Sequence, residues 1–506
     1  MRLPVEPSFG DLRALLQEPP SAPAWELLCR LLDAWPDDDP ELEVSALPYA
    51  LQHTGRWPAA LRAAPRAAVS ALHNTRAQPS LRIARSLDTF SLGTDAWRAL
   101  LMHDLPALCA LSVNTRNLRS HDALASWPAL MRLQHLSIAH TVSARWLNAR
   151  SLPALRSLDE SRLRDQPQPL VSLHHELPPL HALTTRASTT QPLWQLRSPD
   201  RRAALRELTL HVEPPAQGAV GGGAHTLLQS LRHERDSFSA LTALDLHGLH
   251  AEPGQLAHTL PPTLQRLAII QTRVPAQDWT AMLSHAHDSL RELHLWTALE
   301  GDATRQLAAL SLPALRKLTL TAPRIAPAQL AALLRSDWFP RLESLQLTGQ
   351  QLDAALLRAL PAMPRLTELV LADCAISPDA LAALMEGGRL PALTRLELTD
   401  LPLAMTDALT LAKSPTSAHL TELALRACRI SPDQLLAMTG GPWPRLTSLD
   451  LRATPLSADH LATLHAAPLT RALRLLQLDA PAAPEATHLA TDPTLAPLVR
   501  FALWRP

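Results

Sequence analysis

Residues able to hold a metal or move a proton are plentiful in this chain of 506 residues, which has 22 histidines and 4 cysteines. The densest histidines are His174 with His175, and His285 with His287. A His-x-His pair on a strand puts both rings on one side, where they could share a metal. The stretch around His285 reads instead as helix or loop, and no carboxylate or thiol is spaced to complete a ligand set. His175-Glu176 is followed by Leu177, Pro178 and Pro179, so the helical zinc motif H-E-x-x-H is absent. Cys29, Cys109, Cys374 and Cys428 form no C-x-x-C pair. Cys29 falls on the apolar side of a helical pattern, which suits a core thiol better than a nucleophile. Gly221-Gly222-Gly223 lacks the lysine and spacing of a phosphate loop. The nucleophile elbow, the dinucleotide fingerprint and the kinase set are also missing. The expectation is a protein that is no enzyme and needs neither cofactor nor metal.

Charge narrows the choice further. Lys and Arg total 47 and Asp and Glu total 47, a formal net charge of +0. A general binder of nucleic acid or anionic membrane needs a basic surplus, so neither partner is expected. The positive charge is nearly all Arg, with lysine only at 317 and 413, and the abundance of Ala, Leu, Arg and Pro matches a GC-rich bacterial genome. Hydrophobic residues make up 46% and aromatics 4%, which predicts an aliphatic core of Leu and Ala. The first residues carry no apolar leader, and no run of about 18 apolar residues could span a bilayer. A soluble, cytoplasmic protein, monomeric in solution, is expected.

The elements that would position any site come from a repeat. L-x-x-L-x-L recurs at Leu205, Leu241, Leu290, Leu315, Leu342, Leu366, Leu393, Leu420, Leu446 and Leu473, with a variant at Leu264 ending in Ile269. From Leu241 onward the steps run from 23 to 27 residues, whereas Leu205 to Leu241 is 36. Weaker copies begin at Leu108, Leu133, Leu155, Leu180 and, less clearly, Leu87. The last two leucines of each motif are two apart and share one face of a strand. About ten residues later a helical pattern follows, as in 377–388 and 431–441. Ser377 and Ser431 suit the N-cap, Pro378 and Pro432 the first turn, Asp379 and Asp433 the positive helix end, and Gly387 and Gly440 the stop. One strand-turn-helix unit cannot bury its leucines alone, but a stack makes a continuous core.

These motifs resemble the leucine-rich-repeat family, and among its classes the long-repeat one that is similar to ribonuclease inhibitor. The resemblance covers roughly 81–480. It implies an α/β solenoid of about sixteen coils, weak over 81–204 and strong over 205–480, curved with a parallel sheet on the concave face and helices on the convex face. The family places Asn or Cys eight residues after the first leucine to bond loop backbone. Cys374 and Cys428 match; Thr272, Gln350 and Thr454 replace it elsewhere, and Ala298, Pro323, Leu249 and Leu401 break the ladder.

Residues 1–80 lack the repeat. The stretch 25–41 reads as one amphipathic helix through Trp25, Leu28, Leu31, Leu32 and Trp35, with further helices at Val44–Thr54 and Trp57–Ala71. The segment resembles the small helical companion that precedes leucine-rich repeats in many myxobacterial proteins, and is expected to act as an α-helical N-terminal cap. Residues 211–226 read as a loop inserted in the array, and 481–506 as the C-terminal cap. No cysteine follows Leu473, so a cysteine-dependent ubiquitin-ligase domain after the repeats is not expected.

The family resemblance implies a non-catalytic scaffold that binds a protein on its concave face. The residues flanking the paired leucines would line that face. The candidates are Ile270, Glu292, His294, Trp296, Lys317 and Glu368, and further along Arg395, Glu397, Glu422, Arg426, Asp450 and Arg452. Trp296 beside Glu292, His294, Ile270 and Lys317 suits an interface anchor. Glu397 with Arg426, and Glu422 with Arg395, could pair across neighbouring strands. The other function the resemblance allows is a secreted bacterial effector or ubiquitin-ligase adaptor acting in a host.

Overall fold

Each L-x-x-L-x-L motif becomes a short parallel strand, because its paired leucines need one buried face while the residues between them stay on the other. The computed structural model describes residues 7–17, 20–36, 38–73, 78–114, 116, 121–140, 146–162, 177–187, 198–212, 229, 231–299, 302–321, 325–377, 379–385, 388–479 and 499–502. His174, His175, the triple glycine at 221–223, Pro323, Pro378, Gly387 and most of the C-terminal tail lie outside them. The chain divides into two units, residues 1–215 with 237–241, and 216–236 with 242–506.

The first unit opens with helices Phe9–Leu16, Ala22–Asp33 and Leu47–Thr54. The first of these is missing from the sequence reading, although Ser8 and Asp11 announce it: the Ser8 hydroxyl accepts from the Asp11 N–H. The expected helix 25–41 stops at Asp33, because Trp35 turns out of it and its indole N–H donates to Asp39 at 2.9 Å, just past Pro36. The expected helix Trp57–Ala71 is likewise broken, into Ala59–Leu61 and Arg66–Ser70. Between those pieces the chain is extended, and Ala63 bridges Ser86 in parallel. Trp25, Leu28, Leu32, Trp35 and Trp57 are buried together, and Cys29 lies among them. Burial pushes the Cys29 thiol up, with Asp33 and Glu26 adding to the effect, so it stays protonated and unreactive. Arg62 is buried too, and donates to the carbonyls of Thr54 (3.0 Å) and Ile83 (2.6 Å). Thus one guanidinium ties the helical segment to the start of the repeats.

The repeat strands of this unit are β1 (Ser86–Asp88), β2 (Ala110–Asn114), β3 (His135–His140), β4 (Ser157–Asp159), β5 (Ala182–Ala187) and β6 (Glu207–Val212), each pairing in parallel with the next. Leu87 pairs with Leu111, not Leu108, so the first coil begins at Ala84, three residues before the expected Leu87. The weak consensus has a physical compensation. Glu160 and Thr185 stand where other coils place their last leucine, both are buried, and the Thr185 hydroxyl donates to the Glu160 carboxylate.

The second unit continues with β7 (Ala243–His247), β8 (Arg266–Ile270), β9 (Glu292–Trp296), β10 (Lys317–Thr321) and β11 (Ser344–Thr348). β12 (Gln351–Leu352) pairs only with β14 (Ala375–Ile376), while β13 (Glu368–Ala372), β15 (Arg395–Thr399), β16 (Glu422–Arg426), β17 (Ser448–Asp450), β18 (Leu475–Asp479) and β19 (Val499–Ala502) extend the main sheet in parallel. Register is strict: Leu293, Leu318, Leu345, Leu369, Leu396, Leu423, Leu449 and Leu476 lie side by side and are buried. Helices such as Pro327–Leu334, Met405–Lys413, Pro432–Thr439 and Ala458–Ala466 fill the return path. In both units the core is less purely aliphatic than composition suggests: Trp97, Trp127, Trp146, Trp279 and Trp338 are among the largest fully buried side chains.

The helix signals behave unequally. Ser431 caps Pro432–Thr439 in a capping box with Gln434. Asp379 does not sit in the first turn of its helix, which runs Ala380–Met385, but before it at φ +64°. The Ser377 hydroxyl accepts from Ala354 N–H of the preceding coil at 3.1 Å. In Ala458–Ala466 the capping-box acceptor is His460: its Nδ1 faces Ser457 N–H at 3.0 Å and its Nε2 lies 2.8 Å from the Ile430 carbonyl. Gln434 makes the equivalent bond to Leu403, at 2.9 Å. The residue at this helix position therefore also staples one coil to the one before.

Candidate partner-binding surface

Strand ends in this sheet need a tight turn, and the turn recurs at one position. The residue seven after the first leucine takes a positive φ at Gly248, Gln271, Gly349, Asp373, Asp400, Ala427 and Ala453. This left-handed geometry turns its N–H toward the following coil: Asp373 N–H donates to Thr399 (2.9 Å), Asp400 to Arg426 (2.9 Å) and Ala427 to Arg452 (3.0 Å). The next residue supplies the inner ladder. Thr272 donates to Leu246 (3.1 Å), Cys374 to Leu347 (3.4 Å), Cys428 to Leu398 (3.4 Å) and Thr454 to Leu425 (2.7 Å). Burial holds the Cys428 thiol protonated, its pKa pushed up to about 11. Gln350 spans its gap with its amide, bonding Thr348 and Ile325. Where Ala298 breaks the pattern, buried Thr297 donates to Thr272 instead. A second ladder runs along the strand starts: the hydroxyls of Thr367, Thr394, Thr421 and Thr447 each donate to the preceding coil's carbonyl at 3.0 to 3.2 Å. The repeated Leu-Thr dipeptide was its signal.

Two ladders leave the open face of the second unit as rows of side chains in register. Arg266, Glu292, Lys317, Ser344, Glu368, Arg395 and Glu422 form the row nearest the strand starts. The middle row runs Asp245, Ala268, His294, Thr319, Gln346, Val370, Glu397, Ala424 and Asp450. Ile270, Trp296, Thr348, Ala372, Thr399 and Arg426 belong to the third. All twelve expected residues are therefore on or next to this face, with Arg452 two residues beyond the end of β17.

The structure sorts them into two groups. Trp296 is 50% exposed and pairs in register with Ile270. Below it Lys317 Nζ lies 3.1 Å from Glu292, and His294 Nε2 is 3.9 Å from the other Glu292 oxygen. Burial lowers the His294 pKa, with Arg266 and Lys317 acting in the same direction against Glu292 and Asp245, so its ring is neutral at pH 7. Trp296 is thus an exposed aromatic with fixed polar neighbours.

The second group is one ion-pair network across four coils. Arg395 contacts Glu368 (3.2 Å), Glu397 (3.1 Å) and Glu422 (3.2 Å). Arg426 donates to Glu397 (2.8 Å) and Asp450 (2.6 Å), and Arg452 to Asp450 (2.7 Å). The two expected pairs are present, but joined by the Arg395–Glu397 contact rather than separate, and Asp450 extends the network to Arg452. Glu397 and Asp450 are buried beneath the guanidiniums. Ala424, between them in the middle row, leaves the space for Arg426 to reach both. Burial alone would raise the Asp450 pKa; hydrogen bonds from Arg452 and Arg426 outweigh it and hold the carboxyl below its ordinary range.

Among the described residues no group of three or more His, Cys, Asp and Glu could hold a metal. His285 meets His258, Nε2 to Nδ1 at 3.0 Å, rather than sharing a ligand set with His287. Nor is any described helix long and apolar enough to cross a membrane.

No protein-family model matches the chain, and no curated protein sequence does. Several solved structures are similar in part. A chain from the Rad7–Elc1 complex of yeast is 16% identical, with a TM-score of 0.39 over 56% of this chain and 73% of that one. An internalin of Listeria monocytogenes is 15% identical, with a TM-score of 0.31 over 79% and 91%. A Bacteroides fragilis protein is 11% identical, with a TM-score of 0.27 over 60% and 67%. The parallel strands in register, the return helices and the two carbonyl ladders make the fold a leucine-rich-repeat solenoid with a small helical N-terminal cap.

Proposed function

We propose that this chain is a non-catalytic interaction scaffold that holds a protein partner on the open face of its second unit. The observation that carries the reading is Trp296, half exposed beside strand residues, Glu292, Lys317 and the Arg395–Arg426 network among them, whose charges are paired to one another. Such a face is preorganised: a partner meets a fixed aromatic anchor, and few side chains lose freedom on binding. Coils of 23 to 27 residues with a helix in the return path support the ribonuclease-inhibitor-like class for these repeats. We read residues 1–80 as the cap module, 81–480 as the repeats and 481–506 as the distal cap, in a cytoplasmic monomer that binds neither nucleic acid nor membrane.

The test is affinity purification from the native organism followed by mass spectrometry. Wild type is run beside the His294→Ser/Trp296→Ser/Lys317→Ser variant, with circular dichroism confirming both fold. A partner kept by wild type and lost by the variant is the expected result. A partner held equally by both would move the site off this face.

A further inference from the structure

The left-handed turn position favours glycine, asparagine or aspartate, because a short polar side chain tolerates it. That preference accounts for the shape of residues 373 and 400 but not for their charge. Asp373 and Asp400 sit on adjacent coils at the rim of the open face, one strand spacing or about 5 Å apart. Both are exposed, and among the described residues neither carboxylate has a cation or a hydrogen-bond donor. Like charges held side by side without a counterion repel.

The floor beside them adds to the field. Three guanidiniums of the network face four carboxylates, and Glu368 and Glu422 remain partly exposed at its near side. The rim acids therefore enlarge an existing excess of negative charge. Between Trp296 and Arg426 the third row holds only short side chains, among them Thr348, Ala372 and Thr399, which leaves room for a polypeptide segment to lie across the strands.

Building on the scaffold reading above, we infer that the partner presents a basic, Lys- or Arg-bearing segment to this part of the face, with cations meeting Asp373 and Asp400. An acidic segment or a nucleic acid would be repelled by the same field. Bound cations would relieve the repulsion that the free protein carries at its rim.

The experiment uses the full chain and three labelled peptides of about 12 residues, long enough when extended to cross the face. Each carries one Leu; the charged positions are Lys and Arg in the first, Glu in the second and Gln in the third. Fluorescence anisotropy at about 0.15 M salt is expected to show the basic peptide binding about tenfold tighter than the others. Asp373→Asn/Asp400→Asn, which keeps the turn geometry, should weaken it about fivefold or more while leaving the thermal midpoint equal or higher. Asp433→Asn, at an exposed position on a return helix, should change nothing. Equal binding of all three peptides overturns the inference, as does undiminished binding by the rim variant or an equal loss in Asp433→Asn. If the native partner is lost by the Trp296 variant but kept by the rim variant, the basic-segment inference alone fails. If neither variant loses the native partner, the surface reading fails with it.

Discussion

Arg426 donates its Nε–H to Asp450 across a coil boundary at 2.6 Å, and the carboxylate that receives it is only 5% exposed. The same guanidinium reaches back to Glu397 at 2.8 Å, so one side chain ties three successive coils. An isolated surface pair would contribute little, but here removing the cation leaves two buried carboxylates short of a partner. Arg426→Ala should cost about 2 kcal/mol, below the usual range for breaking a buried pair because Asp450 keeps Arg452 and Glu397 keeps Arg395. Urea denaturation at neutral pH measures it. Arg426→Lys, which cannot fork between two acids, should recover less than half of the loss.

The pH dependence follows from Asp450. Its carboxyl is held below the ordinary carboxylate range by Arg452 and Arg426 despite burial. A depressed folded-state pKa gives stability that is complete above the unfolded value and lost as pH falls through the folded one. Asp33 and Asp407 act in the opposite sense, since burial raises both. The difference in urea midpoint between wild type and Asp450→Asn isolates the first effect. It should shrink steadily from pH 5 toward pH 2; a constant difference would mean that Asp450 is not ionised in the fold.

Backbone strain at the turn position makes a third test. Ala427 and Ala453 adopt φ +53° and +58°, where a β-carbon costs about 1 kcal/mol that glycine avoids. Ala427→Gly and Ala453→Gly should each raise the thermal midpoint, by up to about 1 kcal/mol in stability. Gly349→Ala, at φ +73°, should lower it by a similar amount.

His460 makes a fourth. Its two ring nitrogens serve Ser457 N–H on one side and the Ile430 carbonyl on the other. Glutamine can do both, as Gln434 does one coil earlier. His460→Gln should therefore stay within about 0.5 kcal/mol of wild type, whereas His460→Leu, which leaves both groups without a partner, should cost about 2 kcal/mol in chemical denaturation. Equal losses in the two variants would show that packing, not the staple, sets the position.

What sequence alone determined is whatever repeats. The leucine spacing establishes strand, turn, helix and their order, because each coil must bury the same face against the next. For the same reason parity along a strand put eleven of the twelve candidates on one side of the sheet and brought both ion pairs together, while Arg452 follows the end of β17. It failed where the repeat is absent or misaligned. The segment before Ala84 has no period to set its boundaries, so the helix Phe9–Leu16 was missed and the stop at Asp33 misplaced. The first coil shifted by three because Leu87 and Leu92 mimic the motif out of register. Only the tertiary structure could show Asp450 shared by two arginines, His460 bonded to the previous coil, or Asp373 and Asp400 without a partner among the described residues at the rim. Those facts depend on which side chains lie about 5 Å apart across coils some 25 residues distant in the chain, and on the burial that makes a charge costly or free.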